Sequence, residues 1–413
     1  MLRLLIPIII FLIIDIYAFQ AFKTVSKASW TIWLYILISV CVYSYLAYIF
    51  INYDRSVGPS SESLRAMGLL LLMLVPKIAL FFVMFIEDIV RVFVAGYNYV
   101  TDSNLLSKPD KYLPSRRVFV SRLALGIAAL PFASLLYGIY KGKYNYKVLK
   151  YTIHFEDLPE AFDGFKLTQI SDIHSGSFDD KDKIEYAVDL INEQDTDIIL
   201  FTGDIVNTKA NEMDPWIDTF KRIKNPKFGK YSVLGNHDYG EYVTWPNQEA
   251  KEANFQAIKD IHKKIDFKLL LNESDYLEKD GERLAIVGVE NWGRNFKKAG
   301  DLNLASQAIS SDDFKILLSH DPSHWEHEVK THKDHYHLTL SGHTHGLQFG
   351  IEIPGIFKWS PVQYVYKQWA GLYEDANQFI NVNRGFGFHA YPGRVGIWPE
   401  ITVIELKKRL KTA

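Results

Sequence analysis

At 413 residues the chain has room for two or three domains, and its formal net charge of −2 excludes nucleic-acid binding driven by charge alone. Its only cysteine, Cys41, lies in an apolar run, which excludes a disulfide framework and a cysteine-based zinc site. The aromatic content of 24 Tyr, 26 Phe and 9 Trp fits a protein with bilayer-facing surface and interface anchors.

From the N-terminus, four long apolar runs come first: Leu4 to Phe22, Trp30 to Ile51, Gly68 to about Ala95, and Phe119 to Tyr140. Each reaches the roughly 20 residues needed to cross the hydrocarbon core. The sequence therefore predicts an anchor of four transmembrane helices over residues 1–143. Asp15 interrupts the first run and no small-residue cleavage site follows, which argues against a removable signal peptide. Asp15 and Lys77 both fall inside apolar runs, where ionisable groups turn to the bundle interior and pair. They are expected to form a salt bridge that fixes helix packing, and helices with so few polar groups read as an anchor and not a transporter.

Basic residues flank the runs on both sides. Arg3, Arg55, Arg65, Lys141, Lys143, Lys147 and Lys150 stand against Lys23, Lys27, Lys108, Lys111, Arg116 and Arg117, so their count assigns no orientation. The segment Ser115 to Val120, with Arg116 and Arg117, is similar to a twin-arginine export signal, although it is internal and Val120 stands where a basic residue belongs. It tips the domain after Tyr140 toward the extracytoplasmic side of the inner membrane. The dense flank from Lys141 to Lys150 pulls the other way.

From Tyr144 strands and helices alternate. Strands are predicted over Tyr146 to Phe155, Lys166 to Ser171, Asp197 to Thr202 and Lys230 to Leu234, with helices over Asp182 to Gln194, Asp214 to Ile223 and Gln248 to Lys263. A strand-rich stretch then runs through Leu269, Tyr276 and Leu284 to Val289. Short buried strands follow over Phe314 to Ser319 and His337 to Ser341, and the tail from Gln363 to Leu406 reads as strands and tight turns. The fold class is α/β or α+β: one domain over residues 144–413, with two sheets face to face and helices outside.

Five predicted strand ends deliver polar groups into the loops beyond them, where ligands sit in open α/β sheets. They supply Asp172 and His174; Gly203, Asp204 and Asn207; Gly235, Asn236, His237 and Asp238; His320 and Asp321; and Gly342, His343 and His345. Mixed carboxylate, imidazole and amide donors without thiolate suit Mn, Fe or Zn better than Mg or Ca. His332, His335 and His337 sit among Lys333 and Asp334 in a surface connection and are expected to be solvated. His389, in a Gly-rich segment with Arg384 and Arg394, is a candidate for lining the substrate cleft.

In this order and spacing the five blocks resemble the calcineurin-like metallophosphoesterase superfamily, across about 180 residues. The membrane helices and the closing Asn383-Arg384-Gly385 look like its membrane-associated bacterial branch, which includes phosphodiesterases and UDP-2,3-diacylglucosamine pyrophosphohydrolases. The resemblance implies two divalent metal ions. Asp172, His174 and His345 would hold one, Asn236, His320 and His343 the other, and Asp204 would bridge them. It also implies that His237 contacts the phosphoryl group and helps protonate the leaving oxygen. Asp238 would orient His237 or cap the helix that follows, and Asn207 would hydrogen-bond nearby.

The expected activity is hydrolysis of phosphate esters or pyrophosphates by metal-activated hydroxide, on a substrate that tethering to a bilayer makes a lipid-linked one. Phosphomonoester, phosphodiester and nucleotide-pyrophosphate substrates stay open. A nuclease of the same superfamily is disfavoured by the lack of basic runs, and an inactive phospholipid-binding scaffold by the full set of ligands.

Overall fold

A computed structural model of the chain describes residues 2–101 and 114–409; the predicted flanking residues Lys108 and Lys111 lie outside them. The chain forms two compact units, one of Met1–Tyr53 and Arg65–Tyr137, the other of Asp54–Leu64 and Gly138–Ala413.

Every predicted apolar run falls within a helix: α1 (Leu2–Val25), α2 (Ser29–Ile51), α3 (Ser61–Thr101) and α4 (Pro114–Tyr140). Among the described residues three stretches, Ser29–Ile51, Ser61–Thr101 and Arg117–Tyr140, are long and apolar enough to cross a membrane. At 41 residues α3 outruns its predicted span. A 1.5 Å rise per residue makes it about 60 Å long, roughly twice the hydrocarbon core. Buried Ala18, Ala21, Ala124 and Ala128 meet Leu80 and Met84 in one cluster, and small residues of this kind let helix backbones approach closely. Asp15 and Lys77 pair as the sequence predicted, and the Tyr35 and Tyr43 hydroxyls each donate to the same Asp15 oxygen at 3.2 Å. The twin-arginine-like segment is part of α4, and Arg117 donates to Gln20 Oε1 at 3.1 Å.

The second unit holds strands β1 (Lys147–Phe155), β2 (Phe165–Ile170), β3 (Ile198–Phe201), β4 (Lys230–Ser232), β5 (Lys268–Leu269), β6 (Glu273–Lys279) and β7 (Glu282–Gly288). It continues with β8 (Lys315–Leu318), β9 (Leu338–Ser341), β10 (Ile351–Ile353), β11 (Phe357–Trp359), β12 (Gly371–Asp375), β13 (Gln378–Val382) and β14 (Glu400–Lys408). One sheet runs β1-β14-β2-β3-β4-β5 and the other β12-β13-β9-β8-β7-β6, while β10 and β11 form a separate hairpin. That hairpin, and the parallel pairing of β1 with β14 over nine residues, have no local signal in the sequence.

Period-two side-chain alternation builds the layers. Ile198 and Leu200 of β3, with Leu284, Ile286, Ile316 and Leu318 of β7 and β8, form the core between the sheets. The intervening Ile199 and Phe201 face Ile184, Val188 and Ile191 of helix α5 (Lys181–Asn192), Phe220 of α6 (Ile217–Lys221), and Ile258 and Ile261 of α7 (Gln248–Lys264). Ala285, Val287 and Leu317 line a third cluster outside the second sheet with Trp325 and Tyr336. The predicted helix over 214–223 is instead a 3₁₀ stretch, Ala210–Trp216, running into the short α6. Pro215 supplies no N–H there, which accounts for the break.

Strands β2, β3 and β4 are mutually parallel, as are β8 and β9. The carboxyl ends that carry the five polar blocks therefore gather at one edge of the sandwich.

Candidate metal centre

The loops at this edge are bent hard. Asp172, His174, Asp204, His343 and His345 all have positive φ, between 48° and 70°. Each such non-glycine residue stores strain of about 1–3 kcal/mol, which the surrounding packing must enforce. Close approach reinforces the bend: a Cβ on Gly342 would collide with the Asp172 carboxylate, and one on Gly235 with that of Asp204.

The bends aim side chains inward. Asp172, His174 and His345 offer ligand atoms within 4.8 Å of one another, and so do Asp204, His320 and His343. Asp204 lies between the groups, its Oδ2 3.1 Å from His320 Nε2 and 3.6 Å from His174 Nε2. Asn236 donates from Nδ2 to the Tyr242 hydroxyl at 2.6 Å, leaving its Oδ1 buried with no hydrogen-bond partner.

Outer contacts fix which ring nitrogen faces in. His320 Nδ1 donates to the Thr202 carbonyl at 2.7 Å, and His237 Nδ1 to the Asn207 carbonyl at 2.7 Å. His174 and His389 present Nδ1 to Asn207 Oδ1 at 3.1 and 3.2 Å. Such contacts set the tautomer and leave Nε2 as the donor toward a metal. His343 uses Nε2 on the Tyr366 hydroxyl at 2.8 Å, which leaves its Nδ1. His345 differs, because Arg394 donates to its Nδ1 at 3.1 Å, so its ring proton sits on Nε2 and points to Asp172 at 3.2 Å.

His320 decides what the centre needs. With Nδ1–H committed, its Nε2 lone pair faces the Asp204 carboxylate at 3.1 Å and makes no hydrogen bond. Two acceptors that close repel unless a positive charge lies between them. In the metal-free protein a proton takes that place: burial works against it, yet Asp204 and then Asp172 carry His320 up to about 10. Burial likewise opposes ionisation of Asp204, but His320 and His237 hold it well below the usual carboxylate range. Burial, helped by His389, His237 and His345, pushes His174 far down, so it stays neutral. Two carboxylates, four imidazoles and one amide oxygen, with Asn236 Oδ1 buried and unpartnered, fit divalent cations.

Several expected roles move. Asp238 makes no hydrogen bond to His237; its buried carboxylate accepts from the backbone N–H of Asp204, Ile205 and Gly235 at 2.8–2.9 Å, tying two ligand loops together. Arg384 does not offer its guanidinium to a substrate, because Glu400 and Glu352 occupy it from both sides. Arg394 is fully buried and donates to the Gly385 and Gly387 carbonyls, so it holds the turn that carries His389. His389 does reach the centre, with its ring stacked on His174 at 4.8 Å and 4.5 Å from that of His237; these three rings also offer ligand atoms within 4.8 Å of one another. His337 is not solvated: it is buried on Phe314, with Nε2 2.7 Å from Asp157.

Other contributors had no motif to announce them. Glu212 accepts from the backbone N–H of Asn207, Thr208 and Lys209, and burial raises it to about 7. Tyr242 and Tyr366 support Asn236 and His343.

A family profile described as "Calcineurin-like phosphoesterase" matches residues 165–347, and one described as "Probable Calcineurin-like phosphoesterase, transmembrane domain" matches residues 2–143. The chain is 31% identical over 299 residues to the uncharacterized metallophosphoesterase YkuE of Bacillus subtilis, covering 71% of this chain and 98% of that protein. It is 27% identical over 281 residues to a transmembrane protein with metallophosphoesterase domain from Danio rerio, covering 66% of this chain and 60% of that one. Among solved structures, the NAD nucleotidase NadN of Haemophilus influenzae is similar at 14% identity and a TM-score of 0.35, covering 54% of this chain and 45% of that one.

Proposed function

The chain belongs to the metallophosphoesterases, hydrolases of phosphoric ester bonds, and from that membership we propose a dinuclear enzyme, anchored in the inner membrane, that acts on a lipid-linked phosphate ester. One ion (Mn, Fe or Zn) is assigned to Asp172, His174 and His345, and a second to Asn236, His320 and His343, with Asp204 shared. Divalent cations held there would supply a water acidic enough to attack near neutral pH and would offset charge at the phosphoryl group.

The residues of this chain do the rest. Asp204 spans the two ligand groups, and Asp238 and Glu212 lock the loops on which Asp204 and Asn207 stand. His237, its Nδ1 held by the Asn207 carbonyl, turns Nε2 toward the phosphoryl group and serves proton transfer to the leaving oxygen. The observation that carries this reading is the convergence of two buried ligand groups, Asp172, His174 and His345 on one side and Asp204, His320 and His343 on the other, with Asp204 Oδ2 3.1 Å from His320 Nε2 and 3.6 Å from His174 Nε2. Metal analysis of the purified full chain, with assays on bis(p-nitrophenyl) phosphate, p-nitrophenyl phosphate and UDP-diacylglucosamine in Mn²⁺, tests it. Two cations per chain and turnover of a diester or pyrophosphate are expected; one cation or none, or no turnover of any of the three, would sink it.

The α2–α3 loop supports an even number of crossings between it and the catalytic domain, since Lys209 Nζ donates to the Ser56 carbonyl at 2.7 Å and Thr244 N to that of Arg55 at 3.0 Å. We assign that shared side to the extracytoplasmic face. An alkaline-phosphatase fusion after Lys150 is expected to be active, and a silent one reverses the assignment.

A further inference from the structure

Between the metal-ligand loop and Tyr366, whose hydroxyl meets His343, the chain makes an excursion that the sandwich does not need. It leaves His345 through Gly346, Leu347 and Gln348, all with positive φ, and builds the β10–β11 hairpin before returning. The excursion turns apolar side chains outward. Ile356 is 82% exposed, Tyr364 78%, Val365 72%, and Ile351, Ile353 and Phe357 about half. Six large apolar side chains on one short insertion form the kind of patch that marks a lipid or protein interface.

Its place in the fold says which. Gly350 N, at the foot of the hairpin, donates to the Val395 carbonyl at 2.9 Å, and the adjacent Arg394 N donates to the Gly138 carbonyl at 3.2 Å. Gly138 belongs to the last turn of α4, where the exposed Tyr137 and Tyr140 close a membrane-spanning stretch as interfacial aromatics do. The hairpin is thus two hydrogen bonds from the point where the chain leaves the bilayer, and its three-residue strands reach about 10 Å further. Under its turn lies a cavity of about 470 Å³, lined by Lys147, Lys150, Tyr151, Pro354, Arg384 and Trp398. Glu352 and Glu400 also line it and pair with Arg384, so its three cations exceed its two carboxylates by one and the exposed Lys147 and Lys150 leave the rim positive.

We propose that the β10–β11 hairpin, with Tyr364 and Val365, inserts into the bilayer interface, and that the cavity beside it receives an anionic lipid headgroup. The excursion starts at His345 and ends at Tyr366, so the inserted surface is the rim of the metal centre. Esters carried at the headgroup layer then reach the centre without leaving the membrane. This last step rests on the phosphoesterase reading above; the insertion does not.

The test uses the full chain in nanodiscs of phosphatidylethanolamine and phosphatidylglycerol, with Cys41→Ser and either Ile356→Cys or Asp312→Cys carrying an NBD label. Asp312 is exposed ahead of β8, at the opposite end of the strands from the centre. The label at 356 is expected to emit blue-shifted and to lose more than about half its intensity to nitroxide lipids, as an interfacial residue does, while the label at 312 does not. Water-like, unquenched emission at 356, or protection that comes only from cross-linking to a second copy, overturns the proposal.

In the same nanodiscs, Ile356→Asp with Phe357→Asp should hydrolyse bis(p-nitrophenyl) phosphate within about two-fold of the parent, but a long-chain alkyl nitrophenyl phosphodiester at least ~10-fold more slowly. Equal rates on the lipid ester overturn the link to the substrate. If the parent hydrolyses neither ester, the phosphoesterase reading has failed and quenching alone decides the insertion.

Discussion

Two polar clusters, one in each unit and the first half-buried, end differently. Around Asp15 the contacts close on themselves: Lys77 and two tyrosine hydroxyls meet the carboxylate, and Lys77 also donates to Tyr43 at 3.1 Å. Around Asp204 they do not close: Asn236 Oδ1 is buried without a hydrogen bond, and four imidazoles crowd two buried carboxylates. Buried polar atoms are nearly always paired, so the first cluster is finished as protein and the second is finished only by a ligand.

The strongest way to break that contrast is Asp204→Asn. An amide cannot neutralise two cations, so the folded variant should lose both, and turnover should fall to background. Elemental analysis checks it, and two retained cations would remove Asp204 from the bridge.

His237→Ala probes a group that faces the centre and is assigned to neither cation. Metal content should hold while hydrolysis of esters with poor leaving groups slows by roughly 10²–10⁴-fold. Loss of metal would make His237 a ligand and enlarge the unfinished cluster; equal slowing for every leaving group would remove its role in proton transfer.

A pH titration sharpens the comparison. His320 is raised above its unfolded value, so its contribution to the stability of the metal-free protein is complete below about pH 6.5 and is lost as pH rises through about 10. A cation must displace that proton, and affinity should therefore rise about ten-fold per pH unit between pH 6.5 and 8.5. Calorimetric metal titrations at the two pH values read it, and flat affinity would mean that no proton is released.

The smallest effect on catalysis belongs to Asp15→Asn. Removing one partner of a closed pair leaves the other exposed to a low dielectric, so the detergent-solubilised chain should melt at lower temperature. Turnover should stay within about two-fold of the parent, because nothing at the metal centre depends on this pair. A collapse in turnover without a change in melting would give the pair a catalytic task.

What could be read in the sequence was local. A strand that ends in Gly203-Asp204 or Gly342-His343 announces itself within a few residues, and parallel strands bring such ends together without further instruction. The apolar runs and the Asp15–Lys77 pair were readable for the same reason, since length and charge within a run are local. Partners supplied from far along the chain were not. Arg384 reads as a free cation until Glu352 and Glu400 are folded against it, and Asp238 reads as a partner of His237 until the Asp204 loop is placed above it. The hairpin was hidden because strands of three residues carry too few alternations to stand out from a loop.

The position of β14 sets an order of events. It lies between β1 and β2 yet is the last strand of the chain. Until it emerges, β1 has no neighbour and β2 has one open edge. At ~5–20 residues per second, the stretch from β1 to β14 takes a ribosome roughly ten to fifty seconds. The helices are in the membrane well before then. The sheet of the catalytic domain thus stays open until the last strand of the chain arrives, and it closes late.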